Sequence, residues 1–268
     1  MTNGRLNGSA RAAGGQVNRL GIWLLMPLMV AYLVVFIMSF EWRDTLKIER
    51  VVVEGARILS AKQILAKTEI YAQSPLYETD IYAVRGRLEG DPMIRCVTVN
   101  RQLPGTLAIV VAEREPLAAL SNDQILYVDA SGVLLPHVES AVQFDLPFIS
   151  GIDSLGKAKI GRPMNQPDIY QAIDVLQNAQ SLGIYHSISE LNMNHGGDIV
   201  LNSTDGGVPV ILGRGNFPRK LEMLRSFWNN FVNQGNIDQM RYVDLRYEDQ
   251  VVVKWNQQAE PNAAKAAL

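Results

Sequence analysis

DPMIRCVTVNRQLPGTLAIVVAEREPL, residues 91–117, decides how this chain is read. Asp91-Pro92 ends any helix before it, because proline lacks a backbone donor and disfavours helical geometry in the residue it follows. Ile94–Gln102 and Thr106–Glu113 are then two runs rich in β-branched residues, joined by Leu103-Pro104-Gly105, a turn signal. In the second run Leu107, Ile109 and Val111 alternate with Ala108, Val110 and Ala112, so both faces are apolar, which suits a strand covered by helices on one side. Cys96, in the first run, reads as a small packed hydrophobe, since no His, Lys or second Cys lies nearby in sequence to activate it.

Upstream, the residues predict a strand and two helices. Ile48–Val53 is a strand ended by Glu54-Gly55-Ala56. Ser60-Ala61-Lys62-Gln63 has capping-box spacing, with Ser60 as N-cap and Gln63 reaching back, and Ile64 and Leu65 supply the apolar stripe of a short helix. Thr79 or Asp80 can cap a second helix in which Ile81, Val84 and Leu88 share one face and Arg85, Arg87 and Glu89 the other. The order is β-α-α-β-β.

Downstream, residues 117–135 form a strand pair around Asp129-Ala130-Ser131-Gly132, a turn-forming sequence. Leu146–Gly151 is a short apolar strand, and a helix over Pro167–Leu182 carries Ile169, Ile173, Val175 and Leu176. Strands near 187–193, 198–202 and 208–212 follow, and a helix over Phe217–Val232 places Leu221, Leu224, Trp228 and Phe231 on one face, read as core. The chain ends in a hairpin, Arg241–Tyr247 and Val251–Trp255. A terminal strand is free to lie at a sheet edge, where unpaired backbone groups accept a partner strand. Val251, Val252 and Val253 supply β-branched backbone for such pairing, and Arg246, Tyr247 and Trp255 are residue types enriched at interface hot spots.

Residues 20–40, LGIWLLMPLMVAYLVVFIMSF, carry no charge. As a helix they span about 31 Å, the thickness of a hydrocarbon core of about 30 Å. The stretch exceeds a signal-peptide core of about 7–15 residues and lacks a small-residue cleavage site, so it predicts an uncleaved single-pass anchor. Arg5, Arg11 and Arg19 precede it without any acid, which places residues 1–19 in the cytoplasm as a tail and residues 41–268 outside. The Gln/Ala/Pro-rich segment 257–268 reads as disordered.

A formal net charge of −2 argues against a nucleic-acid partner, and the single cysteine excludes an internal disulfide. His137, His186 and His195 have no metal-ligand spacing, and neither a nucleophile motif nor a phosphate loop is present. Leu212-Gly213-Arg214-Gly215-Asn216 is the nearest approach to a phosphate cradle and reads better as a strand-to-helix turn. The expectation is a binding protein that is not an enzyme, with no cofactor, metal or small-molecule substrate.

The β-α-α-β-β order, Val53-Glu54-Gly55-Ala56, Asp91-Pro92-Met93-Ile94 and Arg101–Leu107 resemble a POTRA domain. With Glu113-Arg114-Glu115-Pro116-Leu117-Ala118, Val128–Leu134, the closing Tyr242–Tyr247…Trp255 and the N-terminal anchor, residues 15–256 resemble the FtsQ/DivIB family of bacterial cell-division proteins. The resemblance implies an α+β fold: a single N-terminal transmembrane helix (20–40), a POTRA domain (46–115) and a C-terminal mixed β-sheet domain with two helices (116–256). It implies a divisome scaffold at the septum of the cell inner membrane, its bulk periplasmic. There it would bind FtsB and FtsL, FtsB by strand addition at the C-terminal sheet edge, and through them reach the septal peptidoglycan synthase. Arg246, Tyr247 and Trp255 match the family's binding motif, and Val251 and Val253 complete the contact set. The acidic Glu248-Asp249-Gln250 and Lys254 depart from the family pattern. The rival reading is a POTRA-type polypeptide-binding module for envelope protein export or assembly.

Overall fold

The computed structural model describes residues 19–121, 124–138, 142–152, 158–231 and 237–256, with the side chains of 19–25, 40–44, 195, 231 and 238 also outside the described set. The predicted cytoplasmic tail up to residue 18 and the predicted disordered tail 257–268 therefore lie outside the described residues. Helix α1 is Arg19–Thr45, with Pro27 inside it. Among the described residues no helix is long and apolar enough to cross a membrane. The side chains of 20–25 and 40, part of the predicted span, lie outside the described residues; residues 26–39 are uncharged and their side chains are exposed.

The next unit is β1 (Arg50–Glu54), α2 (Ala61–Thr68), α3 (Ile81–Glu89), β2 (Ile94–Gln102) and β3 (Thr106–Glu113). Its sheet runs β1-β3-β2, with β1 parallel and β2 antiparallel to β3. The predicted capping box forms: Gln63 N donates to Ser60 Oγ at 3.2 Å, and Ser60 N donates to Gln63 Oε1 at 2.8 Å. Asp80 caps α3 by accepting from Tyr82 N and Ala83 N. Gly55 follows β1 at φ +83°, and a Cβ there would sit 2.1 Å from the Val111 carbonyl oxygen, so only glycine fits. The Glu113 carboxylate then accepts from the amides of Arg57, Ile58 and Leu59 at 2.7–2.8 Å, satisfying the turn that leads into α2.

Two local expectations are corrected. Strand β1 begins at Arg50 rather than Ile48, because residues 46–48 pair instead with the loop before α3: Leu76 N donates to Leu46 O, Ile48 N to Ser74 O and Gln73 N to Ile48 O. Cys96 is exposed, not packed. A register irregularity between Ile94 and Cys96 leaves Arg95 and Cys96 both outward before Val97 returns to the core. Val110 is 41% exposed, so the face of β3 turned away from the helices is partly open.

The second unit contains β4 (Pro116–Ser121), β5 (Ile125–Asp129), β6 (Leu134–Leu135), β7 (Phe148–Ser150), α4 (Pro167–Ser181), β8 (Ile188–His195), β9 (Asp198–Ser203), β10 (Pro209–Ile211), α5 (Phe217–Phe231), β11 (Met240–Asp244) and β12 (Val252–Trp255). It builds one nine-stranded mixed sheet in the order β12-β11-β10-β9-β8-β7-β4-β5-β6. Helix α4 buries Ile169, Ile173, Val175 and Leu176, as the sequence predicts. On α5, Leu221 and Leu224 are buried and Trp228 packs partly against the core, while Phe227 joins them; the Phe231 side chain lies outside the described residues.

Strands β4–β6 are buried on both faces. Leu120, Leu126, Val128 and Leu134 enter the core beneath α4 and α5, whereas their alternates Ala119, Tyr127, Val133 and Leu135 join the core of the β1–β3 unit. The junction is also polar. Asp129 accepts from Ser131 N and Val133 N, and its other oxygen takes an ion pair from Arg114 at 2.8 Å.

Candidate functional site: an open sheet edge

The two ends of the nine-stranded sheet differ. At the β6 end, Leu134 N donates to Arg162 O, Gly161 N donates to Leu134 O, and Val133 bridges Pro163, so a segment of the same chain covers that edge. At the other end β12 pairs only with β11, antiparallel, with Val243 opposite Val253, Asp244 opposite Val252 and Tyr242 opposite Lys254. Among the described residues nothing pairs with its outer side.

Two hydrogen bonds establish which backbone groups face that side. Leu245 N donates to Ile211 O, so Leu245 and Val243 turn toward β10 and Asp244 and Tyr242 turn toward β12. Independently, Asn256 N donates to Gln239 O, so Asn256, and by alternation Lys254 and Val252, turn toward β11. Val251, Val253 and Trp255 are left with N–H and C=O directed outward. These three predicted contact residues thus share a property that residue type alone does not convey. Their side chains, meanwhile, are half-buried against the core beneath α5.

The loop between the strands is fastened on both flanks. Arg246 donates from Nε to Asp244 Oδ1 at 3.0 Å, from Nη2 to Asp244 Oδ2 at 2.6 Å and from Nη1 to Asp198 Oδ2 at 2.9 Å. These bonds hold the buried Asp244 carboxyl below the usual carboxylate range, against the opposing effect of burial, and raise Arg246 further. The stem of Arg246 lies over Gly213, where a Cβ would come within 2.9 Å of Arg246 Cγ. Across the loop Arg219, on α5, donates to Asp249 Oδ1 from Nε and Nη2, and that carboxylate raises Arg219. Of the predicted contact residues, Arg246 is therefore tied into its own domain while Tyr247 stands 53% exposed at the loop.

Residues 212–216 form the strand-to-helix turn. Lys220 Nζ donates to the carbonyls of Leu212 at 2.7 Å and Arg214 at 3.3 Å, so the turn's oxygens are gathered around a cation of its own helix. Burial pushes the Lys220 ammonium down. Among the described residues no group of three or more His, Cys, Asp or Glu could hold a metal ion. Asp198, Asp244, Arg219 and Asp249 were not legible as a set in the sequence; Asp244-Leu245-Arg246 spacing was the one local signal, since it aligns a carboxylate and a guanidinium on the same side of an extended chain.

Residues 46–114 match the POTRA domain of FtsQ type, and residues 118–246 match the C-terminal domain of the cell division protein FtsQ/DivIB. The second match stops at Arg246, just before the outer strand. The chain is 30% identical over 241 residues to a cell division protein FtsQ of Syntrophotalea carbinolica, covering 87% of this chain and 84% of that protein. It is 28% identical over 230 residues to one of Salinibacter ruber (81% and 86%) and 24% identical over 241 residues to one of Neisseria meningitidis (89% and 95%).

Proposed function

Because the chain belongs to the FtsQ/DivIB family of cell division proteins, we propose that it is a membrane-anchored divisome scaffold whose β12 edge receives a strand from FtsB, with FtsL beside it. The observation that carries this reading is the asymmetry of the sheet: among the described residues its β6 end is covered from within and its β12 end is not. Natural sheets shield long edges unless an edge has a use. Val251, Val253 and Trp255 present the hydrogen-bonding row, Tyr247 adds an exposed aromatic beside it, and Arg246, bonded to Asp244 and Asp198, ties the start of the loop to β11 and β9.

Helix α1 is read as the anchor, its N-terminus cytoplasmic by the arginines before it and the two sheet units in the periplasm. The partners share that bilayer, so a short strand pairing of modest intrinsic strength suffices, since confinement raises effective concentration. Recruitment of the septal peptidoglycan synthase follows through FtsB and FtsL. The protein performs no chemistry of its own in this role. A nine-stranded sheet with two helices after the POTRA unit, in place of a second POTRA unit, favours scaffolding over general polypeptide handling.

The test is capture of FtsB by the full chain in membranes, compared with a Tyr247→Ala/Trp255→Ala variant. Loss of capture is expected from a variant that still folds, with a lowered circular-dichroism melt because the Trp255 side chain packs partly against the core. Undiminished capture by the folded variant would falsify the proposed edge.

A further inference from the structure

The POTRA unit has two ends, and one of them is joined to α1 without a linker. Thr45 closes the helix, and the next residue, Leu46, is already bonded to Leu76 through its carbonyl and packed against the POTRA core. Residues 47 and 48 continue into the 73–76 loop, through the Lys47–Pro75 bridge and the Ile48–Ser74 pair. Glu49 and Arg50 both donate to Gly105 O, which brings the β2–β3 turn to the same end. A Cβ on Gly105 would stand 2.6 Å from Lys47 O. Arg101 binds the two loops together, donating to the carbonyls of Leu76, Tyr77 and Thr79. The result is a braced platform built around the point where the chain leaves α1, opposite the end from which β3 departs toward β4.

That platform carries apolar side chains that nothing among the described residues covers: Tyr71 is 76% exposed and Leu103 is 58% exposed. Tyr71 is tied to the platform by its carbonyl, which accepts from Ser74 N. If residues 20–40 fill the hydrocarbon core, the helical residues 41–45 rise only about 8 Å beyond it, at ~1.5 Å each. The headgroup layer on that side is about 5–7 Å thick. Leu46 therefore sits at the outer limit of the headgroups, and the loops bonded to it lie within side-chain reach of them. Aromatic and apolar side chains beside a basic residue are what that layer accommodates. The charges present are mixed, Lys47 and Arg50 against Glu49 and Glu78. Attraction to anionic lipid is therefore not the driving term.

The geometry points to a membrane-resting face: Tyr71 and Leu103 seat the POTRA domain in the headgroup layer of the same bilayer that α1 anchors it to, so that the domain stands on the membrane rather than swinging above it. This rests on the reading of α1 as a transmembrane anchor, and the experiment separates the two. The full chain, with Cys96→Ser, is placed in phosphatidylcholine nanodiscs and carries one nitroxide at a time, on Tyr71→Cys, Leu103→Cys, Val30→Cys or Asp205→Cys. Accessibility to oxygen relative to a water-soluble nickel complex is then read. Positions 71 and 103 are expected to give ratios severalfold above that at 205, in the turn after β9, and below that at 30. Phosphatidylglycerol in the nanodisc should leave those ratios unchanged. If 30 reads as lipid while 71 and 103 match 205, the seating is refuted and the anchor stands. An aqueous reading at 30 refutes the anchor and the seating together. If 71 and 103 lose nickel access only when another division protein is added, the face docks protein, and the lipid assignment fails.

Discussion

Replacing Val253 with proline is the sharpest test of the open edge, because the two sides of β12 predict opposite outcomes for adjacent residues. The Val253 N–H points away from β11, so proline there removes no bond of the hairpin, and proline is tolerated at such edge positions. An incoming strand, however, loses one hydrogen bond and meets the pyrrolidine ring. Losing a hydrogen bond costs about 1 kcal/mol net, and an acceptor left dry on the partner adds about 1–2 kcal/mol. The sum, about 2–3 kcal/mol, corresponds to a loss of roughly 30- to 150-fold in affinity at about 1.4 kcal/mol per tenfold. Val252→Pro reverses the pattern: the Val252 N–H faces Asp244 of β11, so proline removes a hairpin bond and destabilises the fold by up to about 3 kcal/mol. Titration of the extracytoplasmic segment of FtsB onto each full-length variant in nanodiscs, with thermal melts alongside, separates the two. Equal affinities for wild type and a folded Val253→Pro protein would show that partners do not use this row of amides.

Three further outcomes follow from contacts elsewhere. Gly55→Ala should destabilise the POTRA unit by on the order of 2–4 kcal/mol, since it joins a positive φ to a backbone clash, and a chemical-denaturation midpoint unchanged from wild type would disprove the steric argument. The Tyr185 hydroxyl donates to Leu117 O at 2.6 Å and burial pushes its phenol up to about 12. The folded state thus favours the protonated phenol, a contribution complete below the ordinary tyrosine value and lost as pH rises toward 12. Tyr185→Phe should cost about 1–2 kcal/mol at neutral pH and shrink that alkaline loss, as read by melts at several pH values. Asp244 is held below its ordinary value, so its contribution is present above about pH 4 and disappears as pH falls through the lowered folded-state value. Asp244→Asn should lower the melting temperature at pH 7 and converge with wild type in acid; a constant gap down to pH 2 contradicts the Arg246 pairing.

What could be read from sequence here was local chemistry. The bounds of β2 and β3, the Ser60 box and the buried stripe of α4 all depend on residues within a turn or two of one another, and each is found where it was predicted; of Thr79 and Asp80, both open as caps of α3 in the sequence, the fold uses Asp80. Cys96 was read as packed from its residue type, and it is exposed because a register irregularity that only the pairing with β3 creates turns Arg95 and Cys96 both outward. The late start of β1 has the same origin, since Ile48 leaves the sheet to pair with Ser74. At the candidate site the residue types suggested a contact strand, but not which side of it faces outward. That depends on β11 lying parallel to β10, a relation between residues 33 positions apart (Val210 and Val243), with α5 between them. Arg246 looked like a free contact residue for the same reason: its partner Asp198 is brought to it by the fold alone.

The shared packing of β4–β6 has a mechanical corollary. Because Ala119, Tyr127, Val133 and Leu135 belong to the same apolar cluster as Ile48, Leu76 and Leu107, and Arg114 clamps Asp129, the POTRA unit and the near end of the large sheet share one core. The sheet extends from there as a cantilever. Eight interstrand steps of about 4.8 Å carry β12 roughly 38 Å from β6. A tilt of about 10° at the root moves the tip by about 7 Å over that span, wider than the gap between two paired strands. Small changes in how the POTRA unit leans are thereby magnified at the β12 edge.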